Sequence, residues 1–385
     1  MFSVVENGDL PSGNRKQRSR RVAMIALLLG LLFVLAIAAV GCGIPGRIRR
    51  ALGIVTPVSP AQTLPWEDAT PSPLPLQVPI EEATSDAPSF TFAVLNAVPE
   101  DRANVGGVDE IRTAFRKLKE LGISVVGQAF AAESTRDDWQ AYLDVAAQEN
   151  IKVAGWFRDT PPVWTGSSFD LGVNRVFLEA MKDHPALYAF LLIDEPFHKK
   201  HGWEITVERL QLLYQQAKQI APRVLMAVQF SREVEKAEAR QDPRFAFKRG
   251  MCDVCIISTL EFRNYGEGNL FYRDVLLATH SVSRAVIRRE DPEAKIWTTV
   301  QVFGSSTGDS SYYMPRADEL QQMVDLLLSP ELRAAGALDG MLWQQWASFY
   351  AAKNSEQYTL SDPEFEELRN IVRDTARRLN LLDAP

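Results

Sequence analysis

The chain has 385 residues, 46% of them hydrophobic, and a formal net charge of −7 at pH 7. That supplies apolar material for one large domain. The acidic balance excludes a nucleic-acid binder, which needs basic surface for phosphate contacts. The chain's 3 cysteines are too few for a disulfide framework.

Residues 1–21 form a basic segment with Arg15, Lys16, Arg18, Arg20 and Arg21 at its end. An apolar stretch from Val22 to Val40 follows, closed by Gly41 and Cys42. Its length, about twenty residues, is enough to span a bilayer. The basic flank predicts a cytoplasmic N-terminus and an exported remainder. Ala39 to Cys42 resembles a bacterial lipobox, with Ala39 where leucine is usual. Two readings of 22–42 follow: an uncleaved signal anchor through Val22–Val40, or a lipoprotein signal ending at a lipidated Cys42. Both put the protein at the cell membrane with its bulk on the extracytoplasmic side. Residues 43–88 carry Pro57, Pro60, Pro65, Pro71, Pro73, Pro75, Pro79 and Pro88 among Ser, Thr and Ala, with no sustained apolar period. Such composition predicts a disordered, extended Pro-rich linker.

From 89 to 385 one pattern repeats: a β-rich run, a polar junction, then a segment with helical apolar spacing. Strands are predicted at 91–98, 124–130, 152–157, 187–195, 224–230, 252–262, 295–304 and 338–348. A final helix is predicted over roughly 363–379, with Phe365, Leu368, Ile371 and Val372 on one stripe. Eight strand–helix units over about 300 residues predict an α/β fold, a (β/α)8 TIM barrel. The absence of a GxGxxG turn disfavours a doubly wound sheet.

The fourth strand carries the most informative string, Leu187 to Pro196, an unbroken apolar run ending in Asp194 and Glu195. It mimics the Walker B strand of an ATPase, but no GxxxxGK[ST] loop precedes it. In a barrel, chemistry sits where strands end. The other polar residues predicted there are Asn96, Gln128, Arg158, Asp159, Gln229, Glu261, Gln301 and Gln344. Amides and carboxylates that donate and accept suit a hydroxyl-rich ligand, so an oligo- or polysaccharide is the expected partner. Aromatics near the strand ends, Trp343 and above all Trp346, are candidates for walls that pack on sugar rings. Cys252 and Cys255 fall in the predicted sixth strand, where i and i+3 lie about 10 Å apart, so they are expected to be core thiols rather than a disulfide. His198 and His201 flank two lysines that repel a cation. No metal and no cofactor are expected.

The acid pair closing strand four, after HPALYAFLL, together with an aromatic eighth strand, resembles the glycoside hydrolase barrels of clan A and their uncharacterised bacterial relatives. That resemblance implies that Glu195 is the acid/base. Asp194 stands where the clan has a sugar-contacting asparagine, and Gln301 stands where strand seven carries the nucleophilic glutamate. Three resolutions stay open. Glu261 serves as the second carboxylate, with Asp159 in reserve, about 5–5.5 Å from Glu195 if retaining or about 6.5–9.5 Å if inverting. Alternatively Asp194 and Glu195 act together, resembling hexosaminidase barrels in which the aspartate orients a substrate acetamido group. In the third, the site binds glycans or cell-surface partners without catalysis.

Overall fold

The computed structural model describes residues 90–157, 160–165, 167–197, 205–264, 269–305, 312–348 and 357–382. The basic segment, Val22–Val40, Cys42, the Pro-rich linker, Arg158, Asp159, His198 and His201 lie outside these residues. No helix among the described residues is long and apolar enough to cross a membrane.

Eight parallel strands close into a barrel: β1 Thr91–Leu95, β2 Val125–Ala129, β3 Lys152–Trp156, β4 Leu187–Asp194, β5 Leu225–Phe230, β6 Val254–Ile257, β7 Lys295–Gln301 and β8 Gly340–Gln344. Each predicted strand contributes one barrel strand, in order, and β8 pairs with β1 to close the ring. Main helices cover the outside: α1 Val108–Lys119, α2 Arg136–Gln148, α3 Val173–Met181, α4 Val207–Ile220, α5 Glu233–Arg240, α6 Arg273–Glu290, α7 Ala317–Leu327 and α8 Glu366–Arg378.

Strand alternation sorts the core into two clusters. Inside the barrel lie Ala93, Leu95, Val125, Ala129, Trp156, Ala227, Val254, Ile256, Trp297 and Leu342. Their neighbours, such as Phe92, Val94, Val126 and Phe190, face the helices. Most inward residues are small or branched, and Trp156 and Trp297 take up the remaining width. Tyr188 stacks on Trp297 with ring centroids 6.3 Å apart. Gly340 makes room for this indole, since a Cβ there would meet Trp297 and the Thr91 carbonyl at 2.8 Å.

The helices read as their sequences do. In α1 the buried residues Ile111, Ala114, Phe115 and Leu118 recur at helical spacing. Thr135 and Asp138 cap α2 reciprocally, each side chain accepting from the other's backbone N–H. The C-terminal helix begins with a short 3-10 turn, Pro363–Phe365, and buries Leu368 and Val372.

Two expectations are corrected. Cys252 and Cys255 form a disulfide, with Cα atoms 5.8 Å apart. The strand starts only at Val254, so Cys252 lies in the turn after Gly250, whose φ is +82°. The chain is not extended between the two sulfurs, and the strand spacing does not apply. Several strands also end earlier than predicted. β1 stops at Leu95 because Asn96 turns left-handed at φ +55°, and β4 stops at Asp194 because Glu195 does so at +47°. Beyond the strand ends, three small antiparallel pairs were not foreseen: Val163–Thr165 with Ser168–Asp170, Phe262–Asn264 with Asn269–Phe271, and Phe303–Ser305 with Gln357–Thr359.

Candidate functional site

The C-terminal ends of β4 and β5 bring together Asp194, Glu195 and Glu233. The β4–β5 register shifts between Leu191 and Ile193. Such a bulge re-aims the side chains beyond it. Leu191 packs on the barrel interior and Ile193 on the helix layer, and Asp194 comes level with Gln229. Both Asp194 and Gln229 are half-buried. Glu195 then takes its left-handed conformation, rare for a residue with a side chain, while its N–H donates to the Gln229 carbonyl at 2.8 Å. Phe197 anchors the turn by packing on Phe230 and Phe245, with centroids 6.0 and 5.4 Å away.

A third acid, missed in the sequence, stands behind this pair. Glu233, the first residue of α5, is buried. Its Oε1 accepts from Phe197 N at 2.9 Å and its Oε2 from Ser231 N at 3.2 Å. Burial, then the negative charges of Glu195 and Asp194, push its carboxyl up to about 8 against the pull of those two N–H groups. At neutral pH Glu233 is therefore mostly a neutral acid. The signal was available in SREVEK, which starts directly after Phe230, the strand's last residue, and places Glu233 three residues past the strand end.

Glu261 belongs to a different group. It is buried, and the charges acting on it are Arg263, Arg232 and Glu235. Burial raises its carboxyl to about 7, the two arginines pull it down, and Glu235 adds a smaller upward push. Arg232 meets Glu235 through two hydrogen bonds of 3.0 and 2.9 Å, and Thr279 donates to Glu235 at 2.7 Å.

Two predicted rim glutamines serve the architecture. Gln128 points away from the barrel axis: its amide donates to Val98 O and Ala129 O and accepts from Tyr142 Oη and Ala97 N. Gln301 is fully buried. Its Nε2 donates to the carbonyls of Phe262, Phe303 and Tyr313, and its Oε1 accepts from Phe262 N. Trp343 is buried in the helix layer, edge-on to Phe92 with centroids 5.6 Å apart. Both glutamine amides are engaged, and Trp343, fully buried, has no partner for its Nε1 among the described residues.

The remaining predicted residues gather at the β8–β1 seam. Asn96 accepts from Ala129 N at 3.0 Å, while its Nδ2 has no partner among the described residues. Gln344 is half-buried and its Oε1 is also unpartnered. Trp346 donates its backbone N–H to Leu95 O. Its side chain helps line a groove of about 590 Å³ with Ala97, Val98, Lys117 and Ser348. This groove lies on the α1 flank rather than beside the acids. Among the described residues no group of three or more His, Cys, Asp or Glu is arranged to hold a metal ion.

No protein-family model matches the chain, and no curated protein matches it in sequence. Solved structures do match. An endocellulase from the archaeon Pyrococcus horikoshii is 12% identical, with 75% of this chain and 92% of that one covered at a TM-score of 0.50. The endoglucanase Cel5A of Pseudomonas stutzeri is 15% identical, covering 68% and 85% at 0.46. A family 1 β-glucosidase from Thermotoga maritima is 8% identical, covering 77% and 99% at 0.47. At such identities the likeness shows the fold alone, a (β/α)8 barrel.

Proposed function

We propose that this protein is a carbohydrate-active barrel that hydrolyses a glycosidic bond through the acids at the end of β4. The observation carrying this reading is the gathering of Asp194, Glu195 and Glu233 at one point of the mouth, where β4 and β5 end. Glu195 delivers a proton to the departing glycosidic oxygen as the bond to the anomeric carbon breaks. Water, or a neighbouring group of the substrate, attacks that carbon, and Asp194 orients the attacking group and takes its proton. The charges acting on Glu261 are Arg263, Arg232 and Glu235, so this reading assigns the step to the β4 pair.

The exported, membrane-tethered placement belongs to the same proposal. It rests on the basic flank before Val22–Val40 and on Cys42. The Cys252–Cys255 disulfide fits it, since disulfides persist in oxidising compartments. Protease added to intact cells should release the barrel by cutting within 43–88. A barrel protected in intact cells would reverse the topology.

A second reading, glycan binding without turnover, is favoured by one observation: Gln301 on β7 has both ends of its amide engaged by backbone groups. No nucleophile therefore stands where clan A relatives carry one. A glycan array followed by turnover assays on the bound sugars separates the two readings. Glu195→Gln should abolish turnover and leave binding within a few-fold of wild type. Full activity in that variant would remove Glu195 from the mechanism, and binding with no turnover by wild type would favour the second reading.

A further inference from the structure

The turn that carries Glu195 is short of regular support. β4 ends at Asp194, and Glu195 is left-handed. Besides the Gln229 carbonyl, which accepts from Glu195 N at 2.8 Å, two groups hold this turn from the β5 side. One is the Phe197 ring, seated on Phe230 and Phe245. The other is the Glu233 carboxyl, which binds Phe197 N with one oxygen and Ser231 N with the other. A side chain on a helix thus bridges two consecutive βα turns. A residue serving only as a helix cap would satisfy its own helix's N–H groups, whereas Glu233 reaches across to β4.

We infer that Glu233 is a positioning residue for the acid pair: its carboxyl clamps the Glu195 turn to the β5–α5 turn and fixes where Glu195 stands. The inference rests on the hydrolytic reading for its effect on turnover, but the clamp itself is testable without any substrate. The geometry is demanding, because a displacement of about 1 Å at a catalytic group costs on the order of a hundredfold in rate. Losing the carboxyl would also leave the buried Phe197 N–H and the half-buried Ser231 N–H without this acceptor, a penalty borne by these two turns. The charged groups acting on Glu233 are Glu195 and Asp194 at the end of β4, and Lys236 on α5 senses its charge in turn. Ionisation of Glu233 therefore adds a negative charge directly beside the pair.

The test uses the full chain and the variants Glu233→Ala and Glu233→Gln. Amide hydrogen exchange should accelerate at least tenfold at Phe197 and Ser231 in Glu233→Ala, with the β4 and β5 amides unchanged. Unaltered exchange at both amides overturns the clamp. With a glycan that wild type hydrolyses, Glu233→Ala should lower kcat ten- to a hundredfold and move KM by less than threefold. Glu233→Gln, still able to accept from one N–H, should retain more of kcat and lack the inflection near pH 8 expected of wild type. A fall in KM-dependent binding with kcat intact, or an identical pH profile in Glu233→Gln, refutes the positioning role. These outcomes are separate from the fate of the hydrolytic reading. Turnover surviving in Glu195→Gln sinks that reading alone. If wild type hydrolyses nothing, the exchange experiment still decides the clamp.

Discussion

Glu261→Gln isolates the cost of holding an acid among the arginines of the β6 rim. The buried Glu261 carboxyl is raised from its ordinary 4.5 to about 7. A gap of about 2.5 units between folded and unfolded chains is worth about 3 kcal/mol, at about 1.4 kcal/mol per unit. The direction follows from which state holds the proton. Below pH 4.5 both states are protonated and the contribution is complete. From there to pH 7 the unfolded chain releases its proton while the folded chain keeps it, so stability falls with rising pH. A glutamine does not titrate. Urea unfolding of wild type and variant at half-unit steps from pH 4.5 to 7.5 should therefore show the wild type losing about 3 kcal/mol relative to the variant. The Glu233 titration is common to both proteins and cancels in the difference. Parallel stability curves would show that Glu261 keeps an ordinary carboxylate range. It would then be ionised at neutral pH and again available as a partner for Glu195.

Gly340→Ala should destabilise the barrel by about 1–3 kcal/mol, because its Cβ would meet Trp297 and the Thr91 carbonyl at 2.8 Å. Thermal unfolding checks this, and an unchanged midpoint would mean the indole has room to move. Alkylation of unfolded, unreduced protein should leave Cys252 and Cys255 unmodified, and prior reduction should expose both. Labelling of either thiol without reductant would refute the disulfide.

The barrel was legible in the sequence because its strands are buried on both faces and stand out as apolar runs between polar junctions. What the runs did not reveal is where each ladder stops. Asn96 and Glu195 end their strands by turning left-handed, a backbone choice that neither residue type announces. The same limit produced the error over Cys252, assigned to a strand that begins two residues later. Among the rim residues, alternation alone separated function from architecture. Gln128 sits one position out of phase with the inward-facing Ala129, so its amide serves the helix layer, although its position at a strand end made it look like a ligand. Glu233 escaped for the opposite reason. It lies on a helix, past the strand end, and only the fold brings its carboxyl back to Phe197.

The two halves of the mouth use similar residue types to different ends. On β7, Gln301 ties its amide to three carbonyls and one N–H, while Glu235 on α5 is engaged by Arg232 and Thr279. Side chains so engaged hold loops in place and leave nothing to offer a substrate. On the β4–β5 side burial, with the negative charges of Glu195 and Asp194 added, keeps Glu233 mostly protonated at neutral pH. A fold gains no stability from crowding carboxyls together, so that crowding is hard to explain as architecture. Strained or costly groups tend to persist where they serve a reaction. Under the hydrolytic reading proposed above, a glutamine on β7 leaves the chemistry to the end of β4, where the attacking group comes from water or from the substrate itself.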